Sequence, residues 1–193
     1  MSATPRQRRL KKPASAKPGR GLSLVPPMQE LARAQDLAFK GPQAQRALQE
    51  FRRQIAAWTV ALPPAQALVL DFGLGDFRRI GLIECWIANE AAAGYCGKYL
   101  FLFDGQTCPL HRHRVKHETF FVVKGRVALE YNGRRLTLGE GDVLPVEPWK
   151  YHRFTGLGPA LLLELSMPCK VDDNFFEDTR IPIGGNYHGR RPA

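Results

Sequence analysis

Gly105-Gln106-Thr107-Cys108-Pro109-Leu110-His111-Arg112-His113-Arg114-Val115-Lys116-His117-Glu118-Thr119-Phe120-Phe121-Val122-Val123-Lys124-Gly125 decides how this chain is read. Five residues separate Gly105 from His111, one separates His111 from His113, four separate His113 from Glu118, and six separate Glu118 from Gly125. In an extended strand residues two apart share a face, so His111 and His113 point to one side together, and a facing strand can add a third imidazole. His152, ten intervening residues after Gly141, is the candidate for it. Three neutral imidazoles and a carboxylate suit Mn, Fe, Co, Ni or Zn and leave room for substrate oxygens on an octahedral ion. A lone surface histidine is ordinarily solvated, and a glutamate among Arg112, Arg114 and Lys116 can merely balance charge. Four such residues at these separations on strand-forming sequence point instead to one metal site: His111, His113, Glu118 and His152. His117 lies on the opposite strand face from Glu118 and His188 sits in a polar tail, so both are left out.

The spacing from Gly105 to Gly125 resembles the first motif of the cupins. The second motif is looser: Gly141, Asp142 and His152 keep its length, but its proline is displaced by one to Pro148 and the glycine before the histidine is missing. That implies a different loop shape rather than a lost ligand. The resemblance implies an all-β fold, a single cupin built as an antiparallel jelly-roll β-barrel.

Around the barrel the chain divides into four parts. Residues 1–27 read as a disordered basic arm, 28–62 as N-terminal helices, 63–181 as the cupin barrel and 182–193 as a C-terminal tail. The helical period runs through Leu31, Leu37, Phe39, Leu48, Phe51, Ile55 and Trp58, with Gly41-Pro42 breaking it in two. Strands are expected at Ala67–Phe72, Arg79–Ala88, Tyr99–Phe103, the histidine-bearing run to Val123, Arg126–Tyr131, Arg135–Leu138, Asp142–Val146, Tyr151–Thr155 and Ala160–Ser166. Asn132-Gly133 marks a tight hairpin turn. From Met167 the sequence reads as loop.

Composition excludes several classes. An apolar fraction of 44% in 193 residues suits one core of ordinary size. The formal charge of +10 invites a nucleic-acid reading, yet Arg6, Arg8, Arg9, Lys11, Lys12, Lys17 and Arg20 all precede the first acid, Glu30, and without those seven the charge is +3. No aromatic interleaving or groove-reading motif accompanies the arm, so no specific nucleic-acid partner is expected. No transmembrane span or secretory signal is visible, and Cys85, Cys96, Cys108 and Cys169 form no close pair, which favours a reducing cytoplasm. Cys108 reads as a small apolar strand residue rather than a nucleophile.

Strand parity adds further candidates. Lys116 falls two residues before Glu118 and tends to face the same cavity, with Phe120 and Val122. Glu164 lies within Leu161-Leu162-Leu163-Glu164-Leu165, where an unpaired buried carboxylate would cost roughly 2 to 7 kcal/mol, so a buried lysine or a bound substrate is needed to offset it. Lys98, at the head of Tyr99-Leu100-Phe101-Leu102-Phe103, is either a third member or a strand-end lysine reaching for solvent.

His111-x-His113-x-x-Lys116-x-Glu118, preceded by Asp71-Phe72-Gly73-Leu74-Gly75 and Tyr95-Cys96-Gly97-Lys98 and followed by Glu164-Leu165-Ser166 and Phe176-Glu177-Asp178-Thr179-Arg180-Ile181, is similar to the cupin-type D-lyxose isomerases. That resemblance spans roughly Leu70 to Ile181. It implies a divalent ion, manganese foremost, on His111, His113, Glu118 and His152, with Lys116 and Glu164 as the acid/base pair and Lys98 as a substrate contact. The implied reaction is aldose–ketose isomerisation of D-lyxose, D-mannose or a similar sugar. A proton would pass between adjacent carbons through a cis-enediol; which residue is the base stays open, and a hydride shift is also compatible. Burial should lower the lysine's pKa. The short hairpin after Gly125 and the non-acidic tail depart from the family and bear on which sugar fits. A metal-dependent oxygenase or decarboxylase would use the same ligands, but Lys116 with Glu164 argues against it, and a noncatalytic sugar-binding cupin has no need of an open metal position. A homodimer is expected, since open sheet edges and apolar helices invite a second copy.

Overall fold

The computed structural model describes residues 29–187. The arm 1–27, Met28, the Leu31 side chain and residues 188–193, including His188, lie outside the described residues. Two helices come first, α1 (Gln29–Asp36) and α2 (Pro42–Ala57). Gly41 between them takes φ 97, a conformation that favours glycine, and Pro42 opens α2, where its missing N–H costs no intrahelical bond. Ala44, Ala47, Phe51 and Ile55 recur at three- and four-residue intervals in α2 and are all buried, one continuous apolar stripe.

Among the described residues eleven strands follow: β1 (Leu68–Leu70), β2 (Leu82–Glu90), β3 (Tyr95–Leu102), β4 (His111–His113), β5 (Glu118–Lys124), β6 (Arg126–Tyr131), β7 (Arg134–Gly139), β8 (Val143–Val146), β9 (His152–Gly156), β10 (Ala160–Ser166) and β11 (Asn174–Phe176). They form two antiparallel sheets, one ordered β1-β2-β3-β10-β5-β8 and the other β11-β4-β9-β6-β7. Asn132 and Gly133 both have positive φ, 48 and 79, in the two-residue turn that pairs Tyr131 with Arg134; this is the twist a tight hairpin requires. Gly125 ends its motif for a steric reason: a Cβ there would run into the Pro159 carbonyl oxygen.

Alternation along the strands sorts the six-stranded sheet into two faces. Leu82, Leu100, Leu102, Phe120, Val122 and Leu162 point inward, against Val127, Leu129 and Phe154 of the other sheet. Ile83, Cys85, Phe101 and Leu161 point outward, and α2 covers them with Phe51 and Ile55. The Phe51 and Phe101 rings meet edge to face at 5.0 Å, and burying a side chain of that size contributes about 1.5 to 3 kcal/mol.

Three expectations need correction. β3 begins at Tyr95 rather than Tyr99, so Lys98 sits mid-strand and buried instead of at a solvated strand end. β2 runs from Leu82 to Glu90 rather than from Arg79 to Ala88. The segment after Met167 is more than loop: Val171–Asp173 forms a 3-10 turn and β11 pairs with β4, through Asn174 with His113 and Phe176 with His111.

Candidate active site and metal centre

His111 and His113 leave β4 on the same inward face, and His152 stands directly across from His111 on β9. Glu118 opens β5 in the opposite sheet, so the barrel brings four potential ligands together from its two walls. One ligand atom from each lies within 4.8 Å of the other three, and all four residues are buried. The backbone selects the tautomers. Nδ1 of His111 is 2.8 Å from the Pro109 carbonyl, that of His113 is 3.1 Å from the Asp173 carbonyl, and that of His152 is 3.0 Å from the Lys150 carbonyl. A carbonyl only accepts, so each Nδ1 must carry the proton and each Nε2 presents a lone pair to the site.

These atoms need a partner. His113 Nε2, His152 Nε2 and both Glu118 oxygens are buried and make no aligned hydrogen bond within the chain. Glu118 Oε1 faces His152 Nε2 at 2.9 Å and His113 Nε2 at 3.3 Å, an arrangement of lone pairs that a cation satisfies. Burial, with the neighbouring rings, holds the His111 imidazole well below its ordinary pKa, and burial with Lys116 holds that of His113 below its own. Both are therefore neutral, as ligation requires.

Beside the ligands runs a row of buried charges. Glu84 on β2, Lys98 on β3, Glu164 on β10 and Glu118 on β5 share the inner face of the larger sheet, and Lys98 is directly opposite Glu164 in the strand register. Lys98 Nζ lies 2.9 Å from Glu84 Oε1 and 3.4 Å from Glu164 Oε2. Lys116 Nζ lies 2.9 Å from Glu164 Oε1 and 2.6 Å from Glu118 Oε2. Negative and positive groups thus alternate from Glu84 to Glu118, and Glu164, which also accepts from Ser166 Oγ at 3.0 Å, has the partners that a buried carboxylate demands. Burial, the largest single effect, would lift Glu118 and Glu164, but Lys116 with His113 and His152 together hold Glu118 well below the usual carboxylate range, and Lys116 with Lys98 together hold Glu164 below it. The expectation for the lysine is corrected: burial pulls Lys116 down, but Glu118 and Glu164 outweigh it and raise the ammonium above its ordinary value.

Two residues the sequence reading passed over complete the site. Asp173 is buried in the 3-10 turn, and its carboxylate accepts the backbone N–H groups of Arg114, Val115 and Lys116 at 2.9 to 3.2 Å, fixing the turn that presents Lys116. Glu84 takes an N–H from Trp86 at 2.8 Å besides its pairing with Lys98. The missing glycine of the second motif leaves its mark too. Trp149 adopts φ 63, its N–H donates to the His113 carbonyl at 2.7 Å, and the Arg112 guanidinium lies 4.8 Å from its ring.

Two adjoining cavities serve these groups. The smaller, about 40 Å³, is lined by His111, Lys116, Glu118 and Glu164 among others. The larger, about 240 Å³, shares Phe72, Glu84, Lys98, Asn174 and Phe176 with it and extends beneath α1.

The fold and the four-ligand cluster define a cupin with a site that could bind a metal ion, and residues 102–166 match the family model described as a cupin domain. Residues 67–130 match the model described as D-lyxose isomerase. A protein of Thermosediminibacter oceani, "D-lyxose/D-mannose isomerase", is 33% identical, the match covering 58% of this chain and 77% of that protein. The "D-lyxose ketol-isomerase" of Cohnella laeviribosi is 29% identical over 63% of this chain and 83% of its own length. The chain belongs to the D-lyxose isomerase family, a family of sugar isomerases. Among solved structures, the L-ribose isomerase of Cellulomonas parahominis shares the fold with a TM-score of 0.61 at 16% identity, covering 75% of this chain and 95% of that one. Among the described residues no helix is long and apolar enough to cross a membrane.

Proposed function

We propose that this protein interconverts D-lyxose, or a sugar of the same configuration such as D-mannose, with its ketose by moving a proton between two adjacent carbons. The observation that carries the reading is the placement of Lys116 Nζ between Glu118 and Glu164, 2.6 and 2.9 Å from them, in a buried cavity beside three imidazoles. His111, His113, Glu118 and His152 would hold one divalent ion, manganese by family likeness, which supplies a Lewis acid for neighbouring oxygens of the open-chain sugar. Glu164, as an ionised carboxylate, would take the proton from one reacting carbon and deliver it to the neighbouring one; Lys116, held protonated, would donate to the developing oxygen charge and take a proton back from the adjacent hydroxyl as the new carbonyl forms, which returns both groups to their starting state. Lys98 keeps Glu164 oriented and offers a donor to a sugar hydroxyl. The family relatives and the paired carboxylates and ammoniums support this over an oxygenase, which needs no such acid/base pair.

The proton transfer requires a dry site, and burial of every group in the charge row provides one. We further place the enzyme in the cytoplasm as a homodimer with no specific nucleic-acid or membrane partner; sedimentation at micromolar concentration checks the dimer, and a monomer contradicts it. The function is tested by incubating metal-loaded protein with a panel of pentoses and hexoses and identifying products. Conversion of D-lyxose or D-mannose to its ketose is expected, and failure with every aldose–ketose pair contradicts the reading.

A further inference from the structure

The two cavities differ in chemistry, and the difference bears on the far end of the substrate. A space of about 40 Å³ admits a few waters but not a five-carbon chain, so a sugar whose reacting carbons lie between Lys116, Glu164 and the histidines must extend into the larger cavity of about 240 Å³. The charged and amide side chains lining that larger cavity, Glu84, Lys98 and Asn174, are all shared with the smaller one and therefore sit at its inner end. They flank the middle of the sugar. Beyond them the described side chains are apolar: Ala34 from the first helix, Leu37 just after it, Leu70, Val171, Pro182 and Ile183, with Gly73 adding only backbone. Trp86 and Cys169 also line this end, but the indole N–H is spent on Glu84, and burial pushes the Cys169 thiol up to about 12, so it stays neutral. The Asn174 amide donors are likewise spent, on the Lys170 and Val171 carbonyls at 3.0 Å.

We infer that the site is built for an aldose whose terminal carbon is a methyl group, a 6-deoxyaldohexose, in preference to one ending in a hydroxymethyl. The inference rests on the isomerase reading above. A terminal hydroxyl placed against Leu37, Pro182 and Ile183 gives up hydrogen bonds to water and meets no polar side chain there in exchange, whereas a methyl gains contact. An apolar pocket discriminates an added hydroxyl by up to roughly 10²-fold, so the preference is moderate rather than absolute.

The matched substrates are D-mannose and 6-deoxy-D-mannose, which differ by the single terminal hydroxyl, with D-lyxose, which lacks that carbon, as a third. With metal-loaded enzyme, kcat/KM for 6-deoxy-D-mannose is expected to exceed that for D-mannose by about 5- to 10²-fold. Calorimetric titration of the corresponding unreactive alditols should give the same order of affinity. Leu37→Asn, which puts an amide on the apolar wall, should bring the ratio of the two hexoses toward one. Turnover of D-mannose equal to or better than that of its 6-deoxy form overturns the inference and leaves the isomerase standing. Failure of all three sugars removes the isomerase reading and this inference with it.

Discussion

The Lys116 ammonium donates to Glu164 Oε1 across 2.9 Å, although the two residues are 48 positions apart and only Glu164 belongs to the larger sheet. Lys116 arrives there from the turn between β4 and β5, Glu164 from the middle of β10, and Lys98 fixes the other carboxylate oxygen from β3. Each charge is buried with two opposite partners, Lys116 with Glu118 and Glu164 and Glu164 with Lys116 and Lys98, and removing one partner of a buried pair ordinarily costs about 3 to 5 kcal/mol. The barrel bears that cost at one place, next to the imidazoles, and this is where the chemistry is assigned.

Removing one imidazole should empty the metal site without collapsing the fold. His113→Ala leaves Glu118 Oε1 facing His152 alone. We expect about one divalent transition ion per chain in the unmodified protein under metal-replete conditions and much less in the variant, read by elemental analysis. Full occupancy in the variant, or none in the parent, contradicts the assignment.

Asp173 should matter for activity through its carboxylate as well as through its backbone carbonyl, which faces His113 Nδ1. Its carboxylate satisfies three consecutive backbone N–H groups in the turn that carries Lys116. Asp173→Ala leaves the buried Lys116 N–H without an acceptor and the part-buried Arg114 and Val115 N–H groups to water, a loss of about 1 to 3 kcal/mol on the scale of one such buried group, seen as a lower urea midpoint. Turnover should fall with it, because a misplaced Lys116 no longer meets Glu164. A variant of unchanged stability and turnover refutes the role.

The buried thiols give a pH dependence. Burial pushes Cys85 and Cys169 from an ordinary 9.0 up to about 12. A group whose folded pKa is raised contributes stability that is fully present below its unfolded pKa and lost as pH rises through the folded one. Stability should therefore decline between about pH 9 and 12, and at pH 8 a thiol reagent should label native protein slowly and all four cysteines after denaturation. Rapid native labelling at Cys85 or Cys169 contradicts this.

Much of the barrel was legible because its signals are local. Asn132-Gly133 names its own hairpin, Gly41-Pro42 its own helix break, and the alternation of His111 and His113 needs only the period of a strand. Lys116 and Glu164 were legible by parity and by the cost of an apolar setting, and the structure brings them together. The rest depended on tertiary contacts. Gly94 and Gly97 disguise the start of β3, so Lys98 reads as an end residue until Glu84 is seen beside it. Asp173 ends the 3-10 turn before β11, and no local pattern records that β11 pairs with β4. Trp149 in a left-handed conformation is tolerated because its backbone and ring are tied to His113 and Arg112, contacts that span 36 residues or more of chain.

The central claim, that Lys116 and Glu164 move the proton while the imidazoles and Glu118 hold the ion, is tested most directly by measuring turnover and metal content together in Lys116→Ala and Glu164→Gln. Both variants should keep their metal and lose roughly 10²- to 10⁴-fold in kcat, the usual effect of removing a positioned acid or base. Near-parental kcat in both, with metal retained, would contradict it.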